Sequence, residues 1–237
     1  MPAAYPAVAM RILAIDTALA RCSVAFGDPE ADVVARSVAM ERGHAEALVP
    51  MIEEVLAAAG AGYGDAERVA VIVGPGSFTG LRVGVAAARG IALAAGRPLV
   101  AVDTLAALAE AVRPSHRRQA IAAVVDARRG EIYAALFAAD GTALVEPSAL
   151  VAADFADLVA EAGAVPVLTG SAADIVAPLL SERGISARIA DRAGAPAIEA
   201  VLRLGGRLDA TRTARPLYLR PPDAKPQTRF RIARQCS

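Results

Sequence analysis

A glycine-rich segment is the first part of this sequence whose residue types and spacing could do chemistry. It reads GPGSFTG from Gly74 to Gly80 and lies between an apolar, β-branched run and an Ala/Gly-rich stretch. At a strand-to-helix turn, glycines let the backbone approach a ligand, and free amides at the helix start favour an anion. The segment therefore predicts either a phosphate site or a tight turn without a ligand. The candidate phosphate contacts are Gly74, Gly76, Ser77, Thr79 and Gly80.

Two aspartates could supply carboxylates for a divalent cation. Asp16 and Asp126 each follow a short apolar run, so each is predicted at the carboxyl end of a strand. Ligands of open α/β sheets bind at that edge, and paired carboxylates can hold Mg²⁺ beside a nucleotide phosphate. With Thr17 they complete the candidate nucleotide-binding set. Aspartate at a strand end is also a common turn former, which leaves a purely structural interpretation open.

Histidine and cysteine show no pattern of metal ligation or nucleophilic catalysis. His44 and His116 are the two histidines of the chain, and Cys22 and Cys236 are its two cysteines, all widely separated in sequence. We therefore predict no metal site and no catalytic residue of the chain's own. We expect His44 to cap the helix that begins beside it. The sparse cysteines favour a reducing, cytoplasmic location.

Charge is unevenly distributed along a chain whose net charge is zero. Residues 212–237 contain seven basic residues and one acidic residue, a local charge of +6, whereas the other 18 basic and 24 acidic residues give the body −6. A basic tail can contact nucleic-acid phosphates or simply be solvated. Charged residues also interrupt every apolar stretch before about 18 residues, so we predict no membrane span. The tail cations are Arg212, Arg215, Arg220, Lys225, Arg229, Arg231 and Arg234.

Hydrophobic periodicity predicts alternating strands and helices in two similar halves. The order indicates two βββαβα units, each of which opens with a strand that ends in aspartate. We predict a disordered N-terminal extension at 1–10, lobes at 11–103 and 104–211, and a Pro/Arg-rich tail at 212–237. Strands are expected at 10–15, 21–26, 32–38, 69–73, 99–102, 121–125, 131–137, 165–168 and 187–189. Helices are expected at 45–59, 80–96, 153–162, 172–181 and 196–208.

Two helices of the first half carry candidate partner-contact residues. The helix at 45–59 has an apolar arc too rich for a solvated face. The helix at 80–96 has a stripe of small residues that would let another helix approach closely, or that would serve packing on its own sheet. The candidate interface residues are Leu48, Val49, Ile52, Leu56, Gly84, Ala87, Ala88 and Ile91.

Six segments of the chain match a known group of bacterial proteins. They are ILAIDTA, HAEALVPMIEEVL, VIVGPGSFTGLRVGVAAARGIA, VDTLAAL, VDARRGEIYAA and PLYLRPPDAKP. Through them the sequence resembles the TsaB family over about residues 10–226. The resemblance implies an α/β, two-lobed, duplicated ribonuclease-H-like fold of the actin, Hsp70 and sugar kinase superfamily. It also implies a part in the synthesis of threonylcarbamoyladenosine on tRNA, beside the paralogue TsaD and the ATPase TsaE.

The same resemblance implies a subunit without catalysis of its own. TsaD-type sequences carry a metal-binding histidine pair shortly after the corresponding glycine segment, whereas residues 101–108 read AVDTLAAL here. The chain is expected to bind and activate TsaD, which modifies the adenosine beside the anticodon of ANN-decoding tRNAs. It is also expected to form a homodimer when TsaD is absent.

No cofactor of the chain's own is expected, and ATP or ADP with Mg²⁺ is expected only at the junction with the partner. The alternative function is a free-standing ATPase or small-molecule kinase of the same superfamily. Such a kinase should have a second glycine-rich adenosine site in its C-terminal half, and the only candidate is the pair Gly205 and Gly206.

Overall fold

Each half of the chain forms a five-stranded mixed sheet in the computed structural model, which describes residues 10–211 and 213–220. Most of the predicted N-terminal extension (residues 1–9), Arg212 and residues 221–237 of the predicted tail lie outside the described residues. The first half contains β1 (Ile12–Asp16), β2 (Arg21–Gly27), β3 (Val33–Ala39), α1 (His44–Ala58), β4 (Arg68–Gly74), α2 (Phe78–Ala95) and β5 (Leu99–Asp103). The second half contains α3 (Thr104–Val112), β6 (Ile121–Asp126), β7 (Glu131–Phe137), β8 (Ala143–Val151), α4 (Ala152–Glu161), β9 (Val167–Thr169), α5 (Ala173–Glu182), β10 (Arg188–Asp191) and α6 (Ile198–Arg207).

The two sheets share one topology. The strand order is β3-β2-β1-β4-β5 in the first and β8-β7-β6-β9-β10 in the second. In each sheet the first three strands in sequence pair antiparallel, and the two later strands add in parallel. In each the opening strand ends in an aspartate, Asp16 or Asp126. The predicted repeat and the duplicated ribonuclease-H-like fold are therefore confirmed.

Helices α1 and α2 cover one face of the first sheet. Leu48 and Ile52 of α1 and Ala88 of α2 lie in one core with Leu13 and Ile15 of β1. These helical residues are spaced so that they fall on one face of their helix, and that face is buried on the chain's own sheet. Helices α4 and α5 cover one face of the second sheet in the same way.

Helices α3 and α6 lie between the two sheets. Ala107 of α3 belongs to a core with β1 and β4, whereas Leu105 and Leu108 belong to a core with β6 and β7. Helix α6 packs on β1 and β4 through Val201 and Leu202. The two lobes are thus joined by buried apolar contacts, and α6 covers the first sheet although it follows the second in sequence.

A buried carboxylate fastens α3 to α6. The Glu110 side chain has little exposure, and its Oε1 accepts hydrogen bonds from Arg203 Nε at 2.9 Å and Arg207 Nη1 at 3.2 Å. Arg203 also donates to the Glu110 carbonyl oxygen at 3.1 Å. A carboxylate buried at a helix junction requires such partners, because an unpaired buried charge is strongly destabilising.

Helix α3 was not predicted from the sequence, and the third strand of the second βββαβα unit, which is β8, was predicted without assigned residues. Asp103 is the N-cap of α3, and its Oδ1 accepts hydrogen bonds from the amides of Leu105 at 2.7 Å and Ala106 at 3.0 Å. Strand β8 contains Pro147, which an edge strand tolerates because one side of its backbone has no partner strand.

Within the described residues, one helix, α2, is long and apolar enough to cross a membrane by length and composition alone. Its residues Leu81, Val85 and Ala88 are buried in the first lobe. The apolar composition of α2 is therefore explained by its packing on the first sheet.

Candidate functional site

The glycine-rich segment joins β4 to α2 and closes on the chain itself. Ser77 caps α2, because its Oγ accepts a hydrogen bond from the Gly80 amide at 3.3 Å. The Ser77 amide donates to the Ala18 carbonyl oxygen at 2.6 Å. Thr104 Oγ1, at the start of α3, donates to the Pro75 carbonyl oxygen at 2.7 Å. The loop is therefore tied to the β1–β2 turn and to α3 by its own polar groups.

The glycines of this loop make room for the β1–β2 turn. A Cβ atom at Gly76 would lie 2.4 Å from the Ala18 carbonyl oxygen, and one at Gly80 would lie 2.0 Å from the Thr17 carbonyl oxygen. Both distances are far below a van der Waals contact. Of the two interpretations left open by the sequence, the tight turn accounts for these glycines, and a phosphate cradle at Gly76 and Gly80 does not fit this arrangement.

Asp16 is wholly buried and does not share an accessible cleft with Asp126. Its Oδ1 accepts a hydrogen bond from the Ala18 amide at 2.8 Å, and its Oδ2 has no protein partner. Burial raises the pKa of Asp16 to about 6, although the Ala18 hydrogen bond and the nearby Arg21 charge act in the opposite direction. The sequence paired this carboxylate with that of Asp126 as candidate ligands of Mg²⁺, but the Asp16 side chain has no exposed surface in the structure.

Asp126 lies at the exposed end of β6 and organises the turn that follows. Its Oδ1 accepts a hydrogen bond from the Arg128 amide at 2.7 Å, and its own amide donates to Ser171 Oγ at 3.0 Å. Arg128 and Arg129 have φ values of 62° and 59°, in the left-handed region that non-glycine residues rarely adopt. Among the predicted nucleotide-binding residues, Ser77, Thr79 and Asp126 are exposed, whereas Thr17, Gly74 and Gly80 are buried.

Asp103 is a second buried carboxyl group, and the sequence analysis did not single it out. Burial raises its pKa to about 6, with a smaller contribution in the same direction from Glu146 of β8, while its hydrogen bonds from the α3 amides act to lower it. The sequence does carry a signal for its role as a cap, because an aspartate directly precedes the apolar run TLAAL.

Most of the predicted partner-contact residues lie inside the first lobe. Val49 is 47 % exposed, and Ala87 and Ile91 are half-buried. The prediction is thus corrected for the others, because the apolar arc of each helix packs on its own sheet and is not available to a partner in this monomer. The buried members are Leu48, Ile52, Leu56, Gly84 and Ala88.

An apolar groove on the outward side of α2 escaped the sequence analysis. Leu93 is 85 % exposed, and a Cβ at Gly90 would meet nothing within 4 Å. Beside them lies a cavity of about 480 Å³. An exposed glycine inside a helix weakens it and finds no compensating contact within the lobe. The cavity is lined by Tyr63, Gly64, Gly90, Ile91, Ala94 and Ala95.

His44 does not cap α1, contrary to the prediction. The residue before the helix is Gly43, with a φ of 86°, and it makes no side-chain capping bond. The His44 ring is buried at the first helical position, and its Nε2 has no hydrogen-bond partner. Across residues 10–211 and 213–220, no group of three His, Cys, Asp or Glu side chains is arranged to hold a metal ion.

Comparison with known proteins finds relatives that are named for the modification of tRNA. A family model described as TsaD, tRNA N6-adenosine threonylcarbamoyltransferase, matches residues 33–177. The tRNA threonylcarbamoyladenosine biosynthesis protein TsaB of Escherichia coli is 39% identical over 131 residues, which cover 55% of this chain and 56% of that protein. The chain thus spans about half the length of the curated relatives it matches.

Two solved structures share the fold. An uncharacterized protein from Pseudomonas aeruginosa, described as similar to peptidase YeaZ, is 28% identical, with a TM-score of 0.74 over 89% of this chain and 100% of its own. The activator of 2-hydroxyisocaproyl-CoA dehydratase from Clostridium difficile is 11% identical, with a TM-score of 0.50 over 83% of this chain and 93% of its own. The second likeness concerns the fold alone.

Proposed function

Since the chain belongs to the TsaB family of tRNA threonylcarbamoyladenosine biosynthesis proteins, we propose that it is the non-catalytic subunit that binds and activates TsaD. In that role it supports threonylcarbamoyl transfer to the adenosine beside the anticodon of ANN-decoding tRNAs. The family membership supports a part in this biosynthesis, and the activation of TsaD is the finer step that we propose.

The observation that carries the proposal is the apolar groove along the outward side of α2. Leu93 of α2 and Val49 of α1 are exposed apolar side chains on two helices that contact each other, and Gly90 of α2 lines the cavity. Exposed apolar surface of this kind marks an interaction site. We take the occupant to be TsaD, because the matching TsaD family model spans both α1 and α2. A paralogue with the same helix pair could form a four-helix arrangement with this one.

The absence of own catalysis is supported by what the candidate residues contact. Asp16 has no exposed surface, and the glycines of the β4–α2 loop approach the chain's own backbone. Residues 101–108, at the end of β5 and the start of α3, contain no histidine. A free-standing ATPase or small-molecule kinase, the alternative, would need these same residues to contact its ligand.

The remaining parts of the proposal concern other partners. TsaE is proposed as a further partner, and a homodimer is proposed when TsaD is absent. ATP or ADP with Mg²⁺ at the junction with TsaD stays a prediction, and the exposed residues Ser77, Thr79 and Asp126 are the ones that could reach it. The basic tail, whose residues from 221 onward lie outside the described ones, is proposed to assist tRNA capture, and the cytoplasm is the proposed location.

The proposal is tested by reconstitution. Threonylcarbamoyl transfer to tRNA by purified TsaD should rise when the full chain is added, and the chain alone should transfer nothing. An equal transfer rate with and without the chain would contradict activation. Turnover of ATP by the chain alone, abolished by Asp16→Asn, would favour the kinase alternative instead.

A further inference from the structure

The segment that follows α6 runs back along the first lobe and leaves it at the boundary with the second. Its start is held at the free edge of the first sheet, where the Thr211 amide donates to the Leu99 carbonyl oxygen at 2.7 Å. Three residues later Ala214 is buried in the core beneath α1 and α2. The segment is therefore an integral part of the first lobe before it reaches the glycine-rich loop.

Leu217 is bound directly to that loop through its backbone. Its amide donates to the Val73 carbonyl oxygen at 2.7 Å, at the end of β4. Its carbonyl oxygen lies so close to Gly74 that a Cβ there would be 2.5 Å away. Gly74 also has a φ of 129°, which side-chain-bearing residues rarely adopt. The first glycine of the loop is thus accounted for by the passage of this segment.

Tyr218 then binds to the first turns of α2. Its ring lies 5.0 Å from the Phe78 ring with an interplanar angle of 30°, a stacked arrangement. Its hydroxyl accepts a hydrogen bond of 3.2 Å from Arg82 Nε, and the Arg82 guanidinium lies 3.7 Å from the centre of the Phe78 ring. These three side chains hold the segment on the first lobe.

Arg220 makes the contacts with the second lobe. Its guanidinium donates to the carbonyl oxygens of Ala127 at 3.1 Å and Arg128 at 3.4 Å, and it forms an ion pair with Glu131 at the start of β7. Its side chain is only 20 % exposed. Arg128 is in the left-handed conformation, so Arg220 binds the strained part of the β6–β7 turn.

We propose that residues 213–220 form a strap that couples the two lobes through the glycine-rich loop and the β6–β7 turn. While the strap is bound, the turn that carries Asp126 and the loop that carries Gly74 are held by neighbouring residues of one short segment. When the strap is released, the loop loses its contacts with Leu217 and Tyr218, and the turn loses its contacts with Arg220. The inference does not rest on the proposed function, so either can fail without the other.

The strap is tested by hydrogen exchange of the full chain, read by mass spectrometry. Arg220→Ala removes the contact with the second lobe, Glu131→Gln removes only the charge that pairs with Arg220, and neither residue hydrogen bonds to the Gly74–Gly80 loop. If the strap couples the lobes, both variants should speed amide exchange in that loop by about threefold or more. Tyr218→Ala, which removes the side-chain contacts with Phe78 and Arg82 on the first lobe, should speed exchange in the β6–β7 turn by a similar factor.

Arg215→Ala is the matched control, because Arg215 is exposed in the same segment and has no partner among the described residues. It should leave exchange at both places unchanged. Unchanged exchange of the loop in Arg220→Ala or Glu131→Gln would overturn the coupling. A uniform rise that extends to the buried strand β2 would overturn it as well, because it would show a loss of global stability and not the release of a strap.

Discussion

The Thr17 hydroxyl donates a hydrogen bond of 2.7 Å to the Gly80 carbonyl oxygen, which joins the end of β1 to the first turn of α2 across 63 residues of sequence. The same hydroxyl explains Gly84 one turn later, because a Cβ there would lie 2.4 Å from Thr17 Oγ1. This joint sets the distance between the β1–β2 turn and the helix. Gly80 and Gly84 of α2 are therefore small because they pack closely against Thr17 inside the first lobe.

The joint predicts opposite effects of one substitution at two glycines of the same helix. Gly80→Ala should lower the free energy of unfolding by about 2 kcal/mol, because its Cβ would meet the Thr17 backbone and the helix would have to shift. Gly90→Ala should raise it by about 1 kcal/mol, because alanine favours the helix and its Cβ meets open space. Urea denaturation of both variants measures the difference. Equal stabilities would contradict the close approach at Gly80.

The buried Asp16 carboxyl predicts an unusual dependence of stability on pH. Its pKa is about 6 in the folded chain, against 3.8 for a free aspartate side chain, so the folded state holds an extra proton between these two pH values. Stability should therefore fall as pH rises from about 4 to about 6, and above that the cost reaches about 3 kcal/mol. Asp103, whose pKa is also about 6, acts in the same direction.

Asp16→Asn should remove the contribution of this residue to that slope. The free energy of unfolding of the variant minus that of wild type should be larger at pH 7.5 than at pH 4.5. Urea denaturation at both pH values measures this difference. Asp126→Asn, a change at an exposed aspartate, is the control and should leave the difference between the two pH values as in wild type. An unchanged slope in Asp16→Asn would show that this carboxyl group does not carry the buried proton.

Substitutions on the outward side of α1 and α2 should weaken the binding of TsaD without lowering the stability of the fold. Leu93→Glu and Val49→Glu place a charge on exposed positions, so thermal unfolding should stay near that of wild type while affinity for TsaD falls at least about tenfold, or about 1.4 kcal/mol. Ile175→Glu, at a 49 % exposed position of α5, is the control for binding. Intact binding of Leu93→Glu would place the interface elsewhere.

Ala88→Glu should behave differently from these two variants. Ala88 has no exposed surface and lies in the core between α2 and the first sheet, so a glutamate there should unfold the lobe. Loss of TsaD binding in this variant would therefore carry no information on the interface. Circular dichroism distinguishes this outcome from that of Leu93→Glu.

Removing the buried carboxylate of Glu110 should lower stability much more than removing the exposed carboxylate of Asp174. Glu110→Ala should lower the free energy of unfolding by about 2 kcal/mol, because Arg203 and Arg207 lose the carboxylate that binds them at the junction of α3 and α6. Asp174→Ala removes a carboxylate that pairs with Arg192 on the surface, and it should leave stability nearly unchanged. Thermal unfolding of the two variants provides the comparison, and similar losses would contradict a special role of Glu110.

The sequence predicted the elements whose hydrophobic period is strong and missed those whose signal is mixed. Strand β7 was predicted at its observed residues, and the strand-to-helix turn at Gly74 lies where the glycines indicated it. Helix α3 was missed because its run is apolar on nearly every side, since it contacts both sheets and has no solvated face to create a period.

The candidate site was harder to predict than the fold, because burial depends on contacts between distant residues. Asp16 and Asp126 stand at equivalent ends of equivalent strands, yet one is enclosed and the other is exposed. The glycine at position 74 reads as a ligand contact in the sequence, whereas the structure fills its space with Leu217, 143 residues later in the chain. Local sequence patterns do not indicate a contact between two residues that are this far apart in the chain.

The position of α6 has a consequence for the synthesis of the chain on the ribosome. The strands β1 and β4 leave the exit tunnel before the second sheet, and the helix α6 that covers their apolar faces leaves it after the second sheet. At a synthesis rate of about 5–20 residues per second, the apolar face of the first sheet stays exposed for on the order of ten seconds before α6 is made. Its folding can be completed only after the second sheet has been synthesised, and a gene cut between the two sheets would encode a first half that never acquires its cover.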